Sequence, residues 1–209
     1  MTNAALATRP ALVRRGLQLN YLGIAYNVVE AVVSIVAGLL AGSVALVGFG
    51  ADSAIEVTSS VAAQWRLRAD IDQERRERVE RVTHRIIGAS FLALAFYVTV
   101  DSVTTLWQRE APHASRVGLV ILTLSVLVMP VLARAKRGVA RALQSRALEA
   151  DATQTSICAY LSVIALAGVG LNVLFGWWWA DPVAALAMVP IIAKEGLEGV
   201  RGETDCLCD

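Results

Sequence analysis

Charge is missing from long stretches of this chain, and that absence limits its fold more than any single motif. Apolar runs at 17–40, 44–65, 84–107, 116–134, 147–175 and 177–198 are each long enough to cross a hydrocarbon layer. That layer is about 30 Å thick, and a helix rises about 1.5 Å per residue. Of 209 residues, 56% are hydrophobic and 18% charged, with a mean hydropathy of +0.56. A water-soluble domain of this size needs a charged surface that this chain lacks. The expectation is an all-α membrane protein, a bundle of six transmembrane helices.

The formal net charge is +1, but the charges lie in blocks. Seventeen of the nineteen Lys and Arg residues fall in the amino-terminal arm, the segment 66–85, the stretch 134–146 and the carboxy-terminal end from Lys194, leaving Arg109 and Arg116 on the opposite face. The positive-inside rule then places both termini in the cytoplasm. Three parts follow: an arm at 1–16, a transmembrane domain at 17–200 with a charged cytoplasmic loop at 66–85, and a short tail at 201–209. Arg9, Arg14 and Arg15 ahead of an apolar run would suit a signal peptide, but this run is too long and carries Asn20, Asn27 and Glu30. Gly38, Gly42 and Ser43 join spans one and two in a tight hairpin, and Gly176 and Trp177 do the same for spans five and six. Trp107, Trp177, Trp178 and Trp179 fall at the outer ends of spans, where indole rings anchor in the headgroup layer.

An ionisable side chain at mid-bilayer costs about 2.5–3.5 kcal/mol on insertion scales, so each one needs a reason. The second span carries Asp52 and Glu56, four residues apart and therefore on one helix face. Two carboxylates one turn apart repel each other unless a cation or a proton lies between them. In the fifth span, Asp151, Gln154 and Cys158 follow at spacings of three and four, offering a carboxylate, an amide oxygen and a sulfur on one face. Counted from the cytoplasmic ends, Glu56 and Asp52 lie about 15 and 21 Å deep, and Gln154 and Cys158 about 12 and 18 Å. These four side chains are expected to converge near the midplane. Taken singly, Gln154 and Cys158 read equally as packing or interhelical hydrogen-bonding residues. Glu30, Asn27 and Asp101 read as partners for nearby polar groups, and His84 and His113 as interfacial residues at opposite faces.

The stretch VVEAVVSIVAGLLAGSVALVGFGADSAIE resembles the first two helices of the cation diffusion facilitators, a family that exports divalent metals such as zinc in exchange for protons. The family's second helix carries Asp or His, three residues, then Asp, where Asp52 and Glu56 stand. Its fifth helix reads Asp-Ala-x-His-x-x-x-Asp, and Asp151, Ala152, Gln154 and Cys158 fall on that frame. Asp181-Pro182 also matches, and the resemblance covers about residues 17–200. Glu56 is one methylene longer than the family's Asp, and Gln154 and Cys158 replace an imidazole and a carboxylate. The cytoplasmic domain that follows the sixth helix in many members is expected to be absent.

The resemblance implies a metal site of Asp52, Glu56, Gln154 and Cys158, with Asp151 at the mouth or backing the ligands. Mixed oxygen and sulfur donors suit Zn(II), and tolerate Cd(II) or Co(II), better than Mg(II) or Ca(II). No resident cofactor is expected: the metal is the cargo, and protons are the counter-ion for alternating access. Cys206 and Cys208 in the tail, beside Glu203 and Asp205, are candidates for metal capture, or a plain chain end. Three cysteines do not make a disulfide framework. In the segment 66–85, Glu74/Arg78 and Glu77/Arg81 suit a solvated helical extension laced with ion pairs, or a dimer contact. The acids nearly balance the bases there and no aromatic residue interleaves them, so nucleic acid is not an expected partner. The expected partners are metal ions, the bilayer and a second copy of the chain. Arg far exceeds Lys, which suits a bacterial inner membrane protein with a GC-rich genome. The other readings are a transport-incompetent relative acting as a membrane scaffold and a membrane enzyme. No Ser-His-Asp cluster or HExxH motif supports the latter.

Overall fold

A peptide in hydrocarbon has only its own backbone to bond with, so apolar runs of this length become helices. The computed structural model describes the backbone of residues 3–68 and 73–201, and the side chains of 11–61, 64, 85–145 and 148–201. Among the described residues six helices follow one another: α1 (Asn3–Ala41), α2 (Val44–Arg68), α3 (Gln73–Gln108), α4 (Arg116–Leu143), α5 (Arg146–Phe175) and α6 (Ala180–Arg201). The described residues contain no strand. Five helices hold segments long and apolar enough to cross a membrane: Ala11–Ala41, Val44–Val61, Arg85–Gln108, Arg116–Leu143 and Leu148–Phe175. In α6, Asp181 and Lys194 close off a shorter uncharged run, although the helix packs into the same bundle.

Several boundaries differ from the sequence reading. The arm at 1–16 is, from Asn3, the first part of a 39-residue helix, which at 1.5 Å per residue is about 58 Å long. Helix also runs into both ends of the segment 66–85, since α2 continues to Arg68 and α3 begins at Gln73. The pairs Glu74/Arg78 and Glu77/Arg81 lie outside the described side chains. The basic stretch 134–146 is not a loop. It is the end of α4 and the start of α5, joined by Gln144, with φ 51°, and Ser145, whose hydroxyl accepts from Leu148 N. Helix continues there because the cationic side chains alternate with Ala, Val and Leu, which are compatible with it.

The hairpins close where expected. Gly42 (φ +66°) and Gly176 (φ +68°) adopt the left-handed backbone that favours glycine. α1 packs on α2 and α4, α5 packs on α4 and α2, and these four helices surround a shared interior. α3 pairs with α6, and that pair joins the rest through α2 and α5. The α3–α6 contact is nearly backbone to backbone. A Cβ on Gly88 would lie 2.5 Å from Val200 N and 2.7 Å from Gly196 O, the close approach that small residues permit in membranes.

The bundle is apolar outside and polar within. On α1, Leu22, Val29, Val32, Val36, Leu39 and Leu40 are exposed, whereas Asn20, Asn27, Glu30 and Ser34 are buried. Their spacings of seven, three and four keep those polar residues on one helical face. Asp52, Glu56, Ser60 and Gln64 repeat the pattern on α2, and Asp151, Thr155, Cys158 and Ser162 on α5. Lipid is as apolar as leucine, so only the polar groups gain by turning inward. Trp107 is 87% exposed at the end of α3, and Trp177 and Trp179 stack with ring centres 5.4 Å apart.

Candidate metal centre

Three helices supply the centre. Glu30 reaches in from α1, Asp52 and Glu56 from α2 and Cys158 from α5, and none is more than 4% exposed. Ser53 Oγ donates to Glu30 Oε2 at 2.8 Å, and the Cys158 thiol points to the same oxygen at 3.7 Å. Glu56 Oε1 accepts from Thr155 Oγ1 at 2.7 Å. Asp52, one turn before Glu56 on α2, is buried in the same interior.

These groups are under-satisfied. Among the described residues, Glu30 Oε1, Glu56 Oε2 and both polar atoms of the Asn27 amide are buried without a hydrogen-bond partner, as are Tyr26 OH, Ser34 Oγ and Ser125 Oγ. A buried polar atom left without a partner costs about 1–3 kcal/mol, and more when charged. So many in one interior mark a place that something else completes. Two glutamate oxygens, an amide oxygen and a thiol are all donors to a borderline dication. Among the described residues, no three His, Cys, Asp or Glu side chains stand close enough to form a closed metal cage.

The four residues expected to converge are distributed as follows. Asp52, Glu56 and Cys158 share the buried interior. Gln154 is half-buried, and its Oε1 accepts from Ser59 Oγ at 2.7 Å. Asp151 lies toward the α4–α5 turn, accepting from Ser60 Oγ at 2.7 Å. Cys206 and Cys208 lie outside the described residues, as does the side chain of His84. His113 is exposed, and its backbone N–H bonds Ala41 O at 2.7 Å. Asp101 accepts from Tyr97 OH one turn away on α3, at 3.2 Å.

Four participants were not singled out from sequence. Glu30 and Asn27 read as ordinary polar partners, yet their spacing from Asn20 and Ser34 was a visible sign of a buried face. Thr155 carries no charge and gave no signal. Lys136 was counted among the cytoplasmic basic residues, but it is 1% exposed. It pairs with Asp151 Oδ2 at 2.8 Å and donates to Thr155 Oγ1 at 3.0 Å. An interior lysine survives because a carboxylate meets it there.

A second polar cluster holds the opposite end of the bundle. Ser43 begins α2 and accepts from Leu46 N at 3.2 Å while donating to Asp181 Oδ1. Asp181 Oδ2 accepts from Ala45 N at 3.4 Å. The α6 carboxylate thus caps the start of α2, whose free N–H groups and dipole favour an anion.

The family model described as the cation efflux transmembrane domain matches residues 21–207. No curated protein matches the chain.

Proposed function

This chain belongs to the cation efflux family of membrane metal transporters, and from that premise we propose that it exports a divalent transition metal, Zn(II) first among candidates, by exchange with protons. The observation that carries the reading is the burial of Glu30, Asp52, Glu56 and Cys158 inside a bundle whose outer face is apolar, with the Cys158 thiol 3.7 Å from Glu30 Oε2. Three carboxylates and a thiol crowded in a low-dielectric interior hold excess negative charge unless cations or protons neutralise it. A dication entering from one side displaces protons, and protons entering from the other displace the dication. Alternating access then needs only the surrounding helices to open to either side in turn.

Asp52, Glu56 and Cys158 are the proposed ligands from the expected set. Gln154, held by Ser59, joins only if that hydrogen bond is exchanged for the metal. The sulfur leaves Cd(II) as an alternative cargo. The distribution of Lys and Arg supports cytoplasmic termini, family resemblance supports a homodimer, and the excess of Arg over Lys supports a bacterial inner membrane. Cys206 and Cys208 are proposed to capture metal at the cytoplasmic mouth, and removal of residues 203–209 tests this at limiting metal.

Proteoliposomes loaded with a Zn(II)-sensitive dye and given an imposed proton gradient test the central reading. The unmodified chain is expected to accumulate Zn(II) and to dissipate the gradient as it does so. Equal uptake by Asp52→Ala and Cys158→Ala would sink the proposal. A scaffold without transport would show no proton release on metal addition.

A further inference from the structure

Lys136 sits where a cytoplasmic lysine would not. Its side chain is 2% exposed, and it fits because α1 has a glycine opposite it: a Cβ on Gly23 would lie 3.1 Å from Lys136 Nζ and 3.3 Å from Cε. From that position Nζ meets Asp151 Oδ2 at 2.8 Å and Thr155 Oγ1 at 3.0 Å. Thr155 Oγ1 lies 2.7 Å from Glu56 Oε1 and 3.0 Å from the Asp151 backbone carbonyl. A contiguous polar chain therefore links Asp151, Lys136, Thr155 and Glu56 across α5, α4 and α2.

The direction of that chain is fixed by proton counting. A threonine hydroxyl has one proton to give and lone pairs to accept with, whereas an ammonium can only donate. Lys136 must donate to Thr155, so the hydroxyl proton is directed away from the ammonium. The shorter of its two acceptors is Glu56 Oε1, an ionisable carboxylate oxygen and the stronger partner. Donation by a cation also polarises the hydroxyl and strengthens the next bond in the chain. Glu56 Oε1 is thereby occupied, while Oε2 is buried without a hydrogen-bond partner among the described residues.

We propose that Lys136 is a positioning residue for the transported cation: through Thr155 it holds Glu56 by one oxygen and leaves the other turned to the metal. The inference rests on the export reading above and deepens it. An ion pair serving only α4–α5 packing would need Asp151 alone, and the chain continues past it to a proposed ligand. Asp151, expected from sequence to line the mouth or back the site, gains a defined role as the carboxylate that pairs with Lys136 in the interior at 2.8 Å.

The test is Zn(II) uptake by full-length protein in proteoliposomes, with KM and maximal rate separated, and thermal unfolding measured on the same preparations. Thr155→Val keeps the shape and removes the relay. It is expected to raise KM for Zn(II) about tenfold, as loss of one charge-assisted hydrogen bond would, with little change in maximal rate. Thr155→Ser restores the hydroxyl and is expected to restore KM. The charge-neutral pair Lys136→Met with Asp151→Asn is expected to raise KM to the same extent. Combined with Thr155→Val, it is expected to add nothing, because residues acting in series are not additive. Ser156→Ala removes a neighbouring α4–α5 bond, from Arg137 Nη2 at 2.9 Å, and is expected to leave KM unchanged. If the charge pair does not fold, Thr155→Val against Thr155→Ser carries the test alone. Zn(II) uptake by the unmodified chain with KM untouched by Thr155→Val overturns this inference and spares the export reading. Strictly additive effects of the two changes also overturn it. No uptake of Zn(II), Co(II) or Cd(II) by the unmodified chain overturns the export reading and this inference with it.

Discussion

The Cys158 thiol on α5 and Glu30 Oε2 on α1 face each other at 3.7 Å, joining two helices that lie far apart in sequence through a pair of metal-donor groups. That contact makes Glu30 a candidate third carboxylate of the proposed centre, brought in from α1. Glu30→Gln keeps the size and the acceptor for Ser53 but removes the charge. Zn(II) uptake is expected to fall at least about tenfold, since a ligand to a dication is worth more than one neutral hydrogen bond. The folded fraction by size-exclusion chromatography is expected to hold. Normal uptake by Glu30→Gln would return Glu30 to a packing role.

Cys158 is the one soft donor in the proposed ligand set. Cys158→Ser is expected to lower Cd(II) uptake more than Zn(II) uptake, because a hydroxyl discriminates against the softer ion. Competition between the two metals in one vesicle preparation measures the ratio. An unchanged ratio would place the sulfur outside the coordination sphere.

Asp52 and Glu56 sit one turn apart on α2 in an interior crowded with acids, an arrangement that costs stability in the absence of cations. Asp52→Asn and Glu56→Gln are each expected to bring transport to background while leaving the apparent melting temperature equal or higher. A gain of about 1 kcal/mol corresponds to about 2–4 °C for a chain of this size. A scan in excess chelator, with and without added Zn(II), checks it: added Zn(II) is expected to raise the melting temperature of the unmodified chain and of neither variant.

Asp181 holds the far end of the bundle by capping α2 with Ser43. Asp181→Ala leaves the N–H groups at the start of α2 unmet and is expected to cost about 1–2 kcal/mol. KM for metal is expected to stay unchanged in the surviving protein, because the cap lies at the first turn of α2, about three turns from Glu56. A large change in KM with normal thermal stability would instead make Asp181 part of the transport path.

Gly88 brings α3 against α6. Gly88→Val places carbons where Val200 N and the Gly196 carbonyl stand, and overpacking of this kind costs about 1–3 kcal/mol. Unfolding in detergent is expected at lower temperature, whereas Gly138→Ala, with open space around its Cβ position, serves as the neutral control. Equal melting of both variants would show that the α3–α6 contact opens readily.

The fold class was legible because a bilayer imposes lengths and leaves one solution for the backbone. The hairpin at Gly42 and the one at Gly176 were legible for the same reason: left-handed backbone at a helix end calls for glycine. The helix ends within 134–146 were not legible, because charge marks the membrane surface and not the end of a helix. Helix propensity does not stop at a membrane surface, and α4 runs on to Leu143.

What the chain determines by itself is which residues must turn inward. Asp52 and Glu56 at i and i+4, and Asn27, Glu30 and Ser34 at helical spacing on α1, are costly in lipid wherever their helices stand. Which of them meet was decided only by how α1, α2, α4 and α5 pack. Spacing along one helix says nothing about the rotation of its neighbour, so Gln154 turned to Ser59 while Glu30 turned to Cys158. Lys136 is the clearest case: its sequence neighbours mark it as a surface cation, and only the space left by Gly23 and the charge of Asp151 bring it inside.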